Sequence, residues 1–188
     1  MTQYDMSVVH SGFFSAMLLY HSHFGVQCSR SDLDDYAFFW RVLGYYFGVS
    51  DQYNVSSHGL DLALAACKEI ETEVTWKALR EPPPGWKEMS DAYVSGVNLF
   101  LAAGVPVNST KSLVAFRIWM MGRQVPEWLK LTRLDHCRVW LLKIAALMML
   151  WIPGFEKLLN LLALALYKHS VRLVNRQLDS YAGRDFRS

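Results

Sequence analysis

The residues best suited to chemistry lie in the stretch FFWRVLGYYFGVSDQYN, residues 38–54. One arginine, Arg41, stands there among aromatic and small residues. Its neighbours one helical turn away carry no acid: Ala37, Phe38, Gly44 and Tyr45. A buried guanidinium without a counter-charge costs free energy. The sequence therefore predicts a counter-charge from an acid elsewhere in the fold or from a bound anionic group.

The same stretch predicts one helical face with little bulk. Its members follow at spacings of i, i+3, i+4 and i+7: Arg41, Gly44, Tyr45 and Gly48. Two glycines let a backbone or a flat ligand come close beside the guanidinium. A flat ligand with carboxylates would suit this face. The alternative is glycine-mediated helix packing, with Arg41 paired to an internal acid such as Asp5. The opposite face is expected to be core-like: Phe39, Val42, Leu43 and Tyr46.

Other chemical groups give weaker signals. The first helix aligns His10 with Met6, Phe13, Met17 and His21. A histidine on such a stripe is typically a core residue, and the alternative is contact with a metal or a macrocycle. The sequence contains neither HExxH nor a three-histidine set, so no zinc site is predicted. Adjacent residues in LDHC, residues 134–137, diverge on a helix and form no nucleophile–base pair. Hydrolase, nucleotide-binding and Rossmann motifs do not occur.

The totals favour one aromatic-rich domain. The chain has 188 residues, a net charge of +2 and a 52% hydrophobic content, with seven Trp, ten Phe and nine Tyr. Such a composition suggests a protein that lines a ligand or touches a membrane. The small charge argues against nucleic-acid binding. Three cysteines without paired spacing do not indicate a disulfide framework.

Helical periodicity predicts an all-α fold, a single globular bundle of about seven helices over residues 1–188. Thr2 and Asp5 resemble a capping pair, and Ser31 is expected to cap the second helix, which stops at Gly48. The further helices are expected at 58–79, 86–103, 110–122, from Pro126 onward, and through 128–181 with a break at 152–157. The prolines of REPPPGW predict a connector within the domain.

Two apolar runs predict a C-terminal helical hairpin. Residues 139–152 carry only Lys143 as a charge, and residues 158–167 are nearly as apolar. Each run is shorter than the roughly 20 residues needed to cross a bilayer. A basic stripe follows at Lys168, Arg172 and Arg176. The pattern leaves two alternatives: a buried core hairpin with a solvated basic end, or an interfacial hairpin on anionic lipid through residues 139–176.

The N-terminal part of the chain resembles the catalytic domain shared by rubber oxygenases (latex clearing proteins) and MpaB-type ER-bound oxygenases. The family pattern is a Q-x-D-[LM] helix start, then W-R-x-x-G-x-x-x-G with an acid and a Tyr-Asn pair nearby. The matching residues are Gln3, Asp5, Met6, Trp40, Arg41, Gly44, Gly48, Asp51, Tyr53 and Asn54. Weaker likeness continues to the C-terminal helices.

The resemblance implies an all-helical domain that holds haem b and uses O2 to cleave double bonds of isoprenoid or other lipid chains, on the endoplasmic reticulum or otherwise in the cytoplasm. The residues implied near the haem are Gln3, Asp5, His10, Trp40, Arg41, Gly44, Tyr45 and Gly48. The family's axial histidine lies upstream of the Q-x-D start, so this chain is expected to be the C-terminal part of the domain, without an identified axial ligand. The alternative is a non-catalytic, membrane-associated protein with the same scaffold.

Overall fold

The computed structural model describes residues 2–102 and 107–185, which form seven helices and one 3-10 turn without a strand. The bounds are α1 Gln3–Tyr20, α2 Arg30–Tyr46, α3 Leu60–Ile70 continued by a π-helical Glu71–Thr75 and by Trp76–Arg80, α4 Trp86–Ala102, α5 Thr110–Met120, α6 Arg133–Trp151 and α7 Phe155–Asp185. The 3-10 turn His21–Phe24 follows α1. The all-α prediction and the number of helices are confirmed.

The starts of α1 and α2 are set by capping boxes. Thr2 and Asp5 cap α1 reciprocally, as the sequence predicts. The predicted cap of α2 at Ser31 is wrong, because Ser29 is the N-cap. Ser29 and Asp32 form a reciprocal capping box there. Each box satisfies backbone N–H groups that the first turn leaves without helical partners.

The predicted start of a helix at Pro126 is also wrong. Thr132 caps α6, and the Asp135 carboxylate accepts a hydrogen bond from the Thr132 backbone N–H. Pro126 instead begins a turn in which its carbonyl accepts from the N–H of Leu129 at 3.0 Å. A proline at a helix start is favourable, but the reciprocal box satisfies more N–H groups.

Contacts divide the chain into two compact units, Met1–Pro82 and Pro83–Ser188. The boundary falls within the run of prolines that the sequence predicts as a connector. Proline lacks an N–H donor and disfavours helix in the residue before it, so α3 ends here. The prediction that the two units form one domain stays a prediction.

The core of the first unit lies among α1, α2 and α3. Its buried members are Phe14, Leu18, Ala37, Leu60, Ala63 and Cys67. α2 contributes Ala37 and the partly buried Trp40 to this core. The predicted core-like face of α2 is wrong, because Phe39, Val42 and Tyr46 are exposed. The small residues Ala37 and Gly44 let α2 approach its neighbours with the other side.

The second unit joins α5 to α6 through a buried carboxylate. Asp135 accepts from the Ser109 hydroxyl, the N-cap of α5, at 2.6 Å. It also accepts from the Thr132 N–H at 2.9 Å and hydroxyl at 2.7 Å. Burial raises the pKa of Asp135, but these bonds and the charge of Arg138 outweigh burial and lower the pKa from 3.8 to about 2. Asp135 therefore pins the starts of two helices together.

Candidate functional site

Gln3 ties the start of α1 to the turn after α2. Its Nε2 donates to the Gly48 carbonyl at 3.0 Å, and its Oε1 accepts from the Ser50 N–H at 2.9 Å. Gly48 has a φ of 82°, which a residue with a side chain rarely adopts. Two predicted haem-contacting residues, Gln3 and Gly48, thus hold the ends of two helices together.

Asn54 closes the same junction from the loop. The side chain is buried, and its Nδ2 donates to the Arg41 carbonyl at 2.9 Å. Its Oδ1 accepts from the Ser56 N–H at 3.2 Å. The neighbouring Tyr53 carbonyl accepts from the Ser7 hydroxyl at 2.5 Å. Several residues of the family pattern, Gln3, Gly48, Tyr53 and Asn54, therefore meet at one junction of α1, α2 and the loop that follows.

Arg41 pairs with an acid from that loop. Its Nη2 lies 3.7 Å from Oδ2 of Asp51, and the Arg41 side chain is 42% exposed. The suggested partner Asp5 instead caps α1 through Thr2, and hydrogen bonds from Thr2 lower the pKa of Asp5. Arg41 is thus not the buried guanidinium that the sequence suggested. An exposed pair at this distance contributes between zero and about 1 kcal/mol.

The glycine face of α2 is filled by the protein itself. A Cβ added at Gly44 would lie 2.6 Å from Nδ2 of Asn54 and 2.9 Å from Cε1 of His10. A Cβ at Gly48 would lie 3.7 Å from Cε of Met6. Tyr45, which the spacing places on this face, is exposed. The glycines therefore serve helix packing, the second of the two alternatives.

His10 lies beneath this junction inside a cage of rings. The residue is 4% exposed, and neither ring nitrogen has a hydrogen bond of good geometry. Its ring centroid lies 5.2 Å from that of Phe14, 5.6 Å from Trp40 and 6.4 Å from Phe47. Burial lowers the pKa of His10, and the Trp40 backbone partly opposes that change. Burial therefore favours the neutral form of the imidazole.

The residues present, as packed, do not fit a haem. The space beside Gly44 is taken by His10 and Asn54. A groove of about 370 Å³ does occur in the first unit, but none of the eight residues implied near the haem lines it. Its walls include Tyr53, His58 and Glu69. Among the side chains that the structure describes, no group of three His, Cys, Asp or Glu is arranged for a metal ion. Haem binding stays a prediction of the resemblance.

Sequence reasoning missed a polar cluster at the π-helical part of α3. Glu71 is 2% exposed and accepts from the Tyr20 hydroxyl. Lys68 Nζ donates to Oε2 of Glu71 at 3.0 Å and to the Tyr20 oxygen at 2.9 Å. Burial and the bond to Glu71 raise the pKa of Tyr20. Glu71 three residues after Lys68 was the available signal, and the cluster links α1 to α3.

Many apolar side chains of α6 and α7, the two helices predicted to form the C-terminal hairpin, are exposed to solvent. Trp151 at its turn is 81% exposed, and Leu161 on α7 is 65% exposed. Further exposed members are Trp140, Leu141, Ile144, Leu147, Ile152, Leu158, Leu162, Leu164, Leu166 and Tyr167. Residues 160–169 are exposed on every side of α7. The described residues therefore do not bury these side chains in a core.

Charged residues bracket the apolar part of the hairpin. Glu156 and Lys157 precede it on α7, Lys168 and Arg172 follow it, and all four are exposed. The Arg176 side chain lies outside the described residues. On α6, Lys143 Nζ lies 4.3 Å from the centroid of the Trp119 ring, a distance typical of a cation–π contact. Among the described helices, none has both the length and the hydropathy to cross a bilayer.

Comparisons with protein-family models, with curated proteins and with solved structures gave no match. The resemblance to rubber oxygenases and MpaB-type oxygenases therefore rests on the residues quoted above.

Proposed function

We propose that this protein binds the surface of anionic membranes through the hairpin of α6 and α7. The observation that carries the proposal is the exposure of five leucines of α7: Leu158, Leu161, Leu162, Leu164 and Leu166. A helix that is apolar all round is stable only when protein or lipid covers it. Within this chain, the described residues leave it uncovered.

The exposed area is large enough for reversible membrane binding. Seven hairpin residues are more than half exposed: Trp140, Leu141, Leu147, Trp151, Leu158, Leu161 and Leu162. Fully burying one such side chain contributes about 1.5–3 kcal/mol, so half of that for seven residues is on the order of 5–10 kcal/mol. This free energy is at least comparable to that of a single acyl-chain anchor, which alone gives marginal, reversible membrane binding.

The charge pattern favours a helix that lies flat at the interface. Residues 158–167 extend about 15 Å, half the roughly 30 Å of a hydrocarbon core. Glu156 and Lys157 stand at one end, with Lys168 and Arg172 at the other. Because charged side chains are most stable in the headgroup layer, we expect both ends to lie there. The leucines between them would then lie at the boundary with the acyl chains. The two cations at the C-terminal end favour anionic lipid.

Flotation with liposomes tests the proposal. We expect the full chain to float with phosphatidylcholine–phosphatidylserine vesicles and less with pure phosphatidylcholine. Leu161→Asp/Leu162→Asp should abolish flotation on both compositions, and Lys168→Glu/Arg172→Glu should remove the preference for phosphatidylserine. A matched control, Lys77→Glu/Arg80→Glu, changes the same charge on exposed residues of α3. Hairpin variants that float like the unaltered chain would refute the proposal.

The oxygenase activity, the isoprenoid or lipid substrate and the endoplasmic reticulum location implied by the resemblance stay predictions. Membrane binding suits an enzyme of lipid substrates, and it equally suits the non-catalytic alternative. The flotation result does not depend on which of these is correct, because it concerns residues of α6 and α7 alone.

A further inference from the structure

A second apolar surface lies on α2, on the side turned away from the core. We call it the α2 face and define it by seven exposed residues: Asp34, Asp35, Phe38, Phe39, Val42, Tyr45 and Tyr46. Its four rings range in exposure from 54% for Phe39 to 77% for Tyr46. Four exposed rings on one helix are unusual unless something covers them.

The α2 face has different polar groups at its two ends. Asp34 and Asp35 stand near the N-terminus and, when ionised, only accept hydrogen bonds. Tyr45 and Tyr46 stand at the C-terminus and carry hydroxyl donors. Apolar side chains fill the middle. An antiparallel copy of the same helix therefore presents donors to acceptors at both ends.

We propose that the α2 face binds the α2 face of a second copy of this chain, antiparallel about a twofold axis opposite residue 40. In such a pair, residues whose numbers add up to about 80 face each other. Phe38 then meets Val42 of the partner subunit. Tyr45 meets Asp34 of the partner subunit, and Tyr46 meets Asp35 of the partner subunit, each within one residue, or about 1.5 Å of helix rise.

The two polar pairings also agree around the helix. At about 100° per residue, Asp34 and Tyr45 lie toward one edge of the α2 face, and Asp35 and Tyr46 lie toward the other. A twofold axis perpendicular to both helices sets each edge against the same edge of the partner. Both pairings are therefore formed together, and antiparallel helix dipoles favour the same orientation.

The exposed rings supply a large part of the area of a dimer interface. Buried Phe and Tyr each cover about 150–250 Å², so four rings at the observed exposure offer on the order of 500 Å² per copy. A standard interface buries about 800 Å² per partner. Val42 and the side chains beside the rings add to the total. Anionic lipid is a poorer occupant, because Asp34 and Asp35 would face like charge.

Sedimentation velocity of the full chain in a mild detergent, which covers the hairpin, tests this inference. We expect a dimer that Phe38→Glu converts to a monomer, with a dissociation constant about a hundredfold higher or more, because a charge is then buried beside the axis. The matched control is Met89→Glu, which places the same charge on an exposed apolar site of α4 and should leave the dimer intact.

A conservative variant and a cross-link guard against misfolding. Tyr45→Phe/Tyr46→Phe keeps the rings and should weaken the dimer about tenfold or more, because it removes hydrogen bonds to carboxylates.

In a Cys28→Ser/Cys137→Ser background, copies with Phe38→Cys should cross-link to copies with Val42→Cys in preference to themselves. A monomeric wild-type chain, or a dimer that survives Phe38→Glu, would overturn the inference. So would a monomer whose Phe38→Glu variant loses liposome binding, since lipid would then cover the face.

Discussion

Gly44 has closer neighbours than Gly12 and Gly48 of the same unit. Replacing it with Ala puts a Cβ within 2.6 Å of Nδ2 of Asn54, so the bond from Asn54 to the Arg41 carbonyl must stretch or break. We expect Gly44→Ala to lower the free energy of unfolding by about 1–3 kcal/mol, measured by urea denaturation followed by circular dichroism. The matched control is Gly12→Ala in α1, where nothing lies within 4 Å. It should gain about 0.5–1 kcal/mol from helix propensity, and equal effects of the two substitutions would contradict this packing.

Asp135 should make the second unit sensitive to acid. Its pKa falls from 3.8 to about 2 in the folded protein, a difference that corresponds to about 2 kcal/mol at pH 7. Because the folded pKa is the lower one, this stabilisation is present above about pH 4 and is lost as the pH falls toward 2. We expect Asp135→Asn to destabilise by about 2 kcal/mol at pH 7 and by much less near pH 2.5.

Urea denaturation at the two pH values measures this effect, with Glu127→Gln, an exposed carboxylate of the same unit, as the control. A destabilisation by Asp135→Asn that is independent of pH would assign the loss to packing instead of charge.

Among the elements, the helices were more predictable than their caps. Four of the seven helices begin at a capping box; the box of Thr2 with Asp5 was predicted correctly from the sequence, and those of Ser29 and Thr132 were misplaced. The errors at Ser31 and Pro126 arose because a second possible helix start lay a few residues away in each case. Which start is used depends on which backbone N–H groups lack a partner in the fold. The inward side of α2 was not predictable, because aromatic residues line both sides and only the position of α1 and α3 decides which are covered.

The hairpin makes a prediction about its orientation. If α7 lies flat, a fluorescent label at Leu158→Cys and one at Leu166→Cys should sit at equal, shallow depth in phosphatidylserine-containing vesicles. If the hairpin enters by its turn, the label at position 158 should be deeper. Quenching by lipids spin-labelled at shallow and deep positions measures both depths in the Cys28→Ser/Cys137→Ser background.

The control for these depth measurements is a label at Met89→Cys, on exposed α4, which should show little quenching. Unequal depths at positions 158 and 166 would reject the flat orientation, and the charges at Glu156 and Lys157 are the physical reason to expect equality.

At the scale of the whole molecule, the family pattern names residues that are neighbours in the structure, but the sequence did not predict what they do together. Gln3, Gly48 and Asn54 were grouped by resemblance, and they do converge at one junction. Their hydrogen bonds go to the backbone of their own chain, which no motif reveals. The Tyr20–Glu71 link was not predicted because its partners are far apart in sequence. Long-range pairs of this kind depend on the packing of α1 against α3.

The use of haem can be decided on the whole chain by its absorption spectrum. The family resemblance predicts a Soret band that shifts from that of free hemin, with no axial ligand identified in this chain; His10 is the histidine among the residues that it implies near the haem. The packing predicts the opposite, because His10 is enclosed by rings and the space beside Gly44 is filled by Asn54. We therefore expect hemin to give the same spectrum with the unaltered chain and with His10→Ala. His58→Ala, an exposed histidine of the same unit, controls for adventitious ligation. A shifted band that is lost only in His10→Ala would show that the ring cage around His10 opens to admit haem. It would favour the oxygenase function over the non-catalytic alternative.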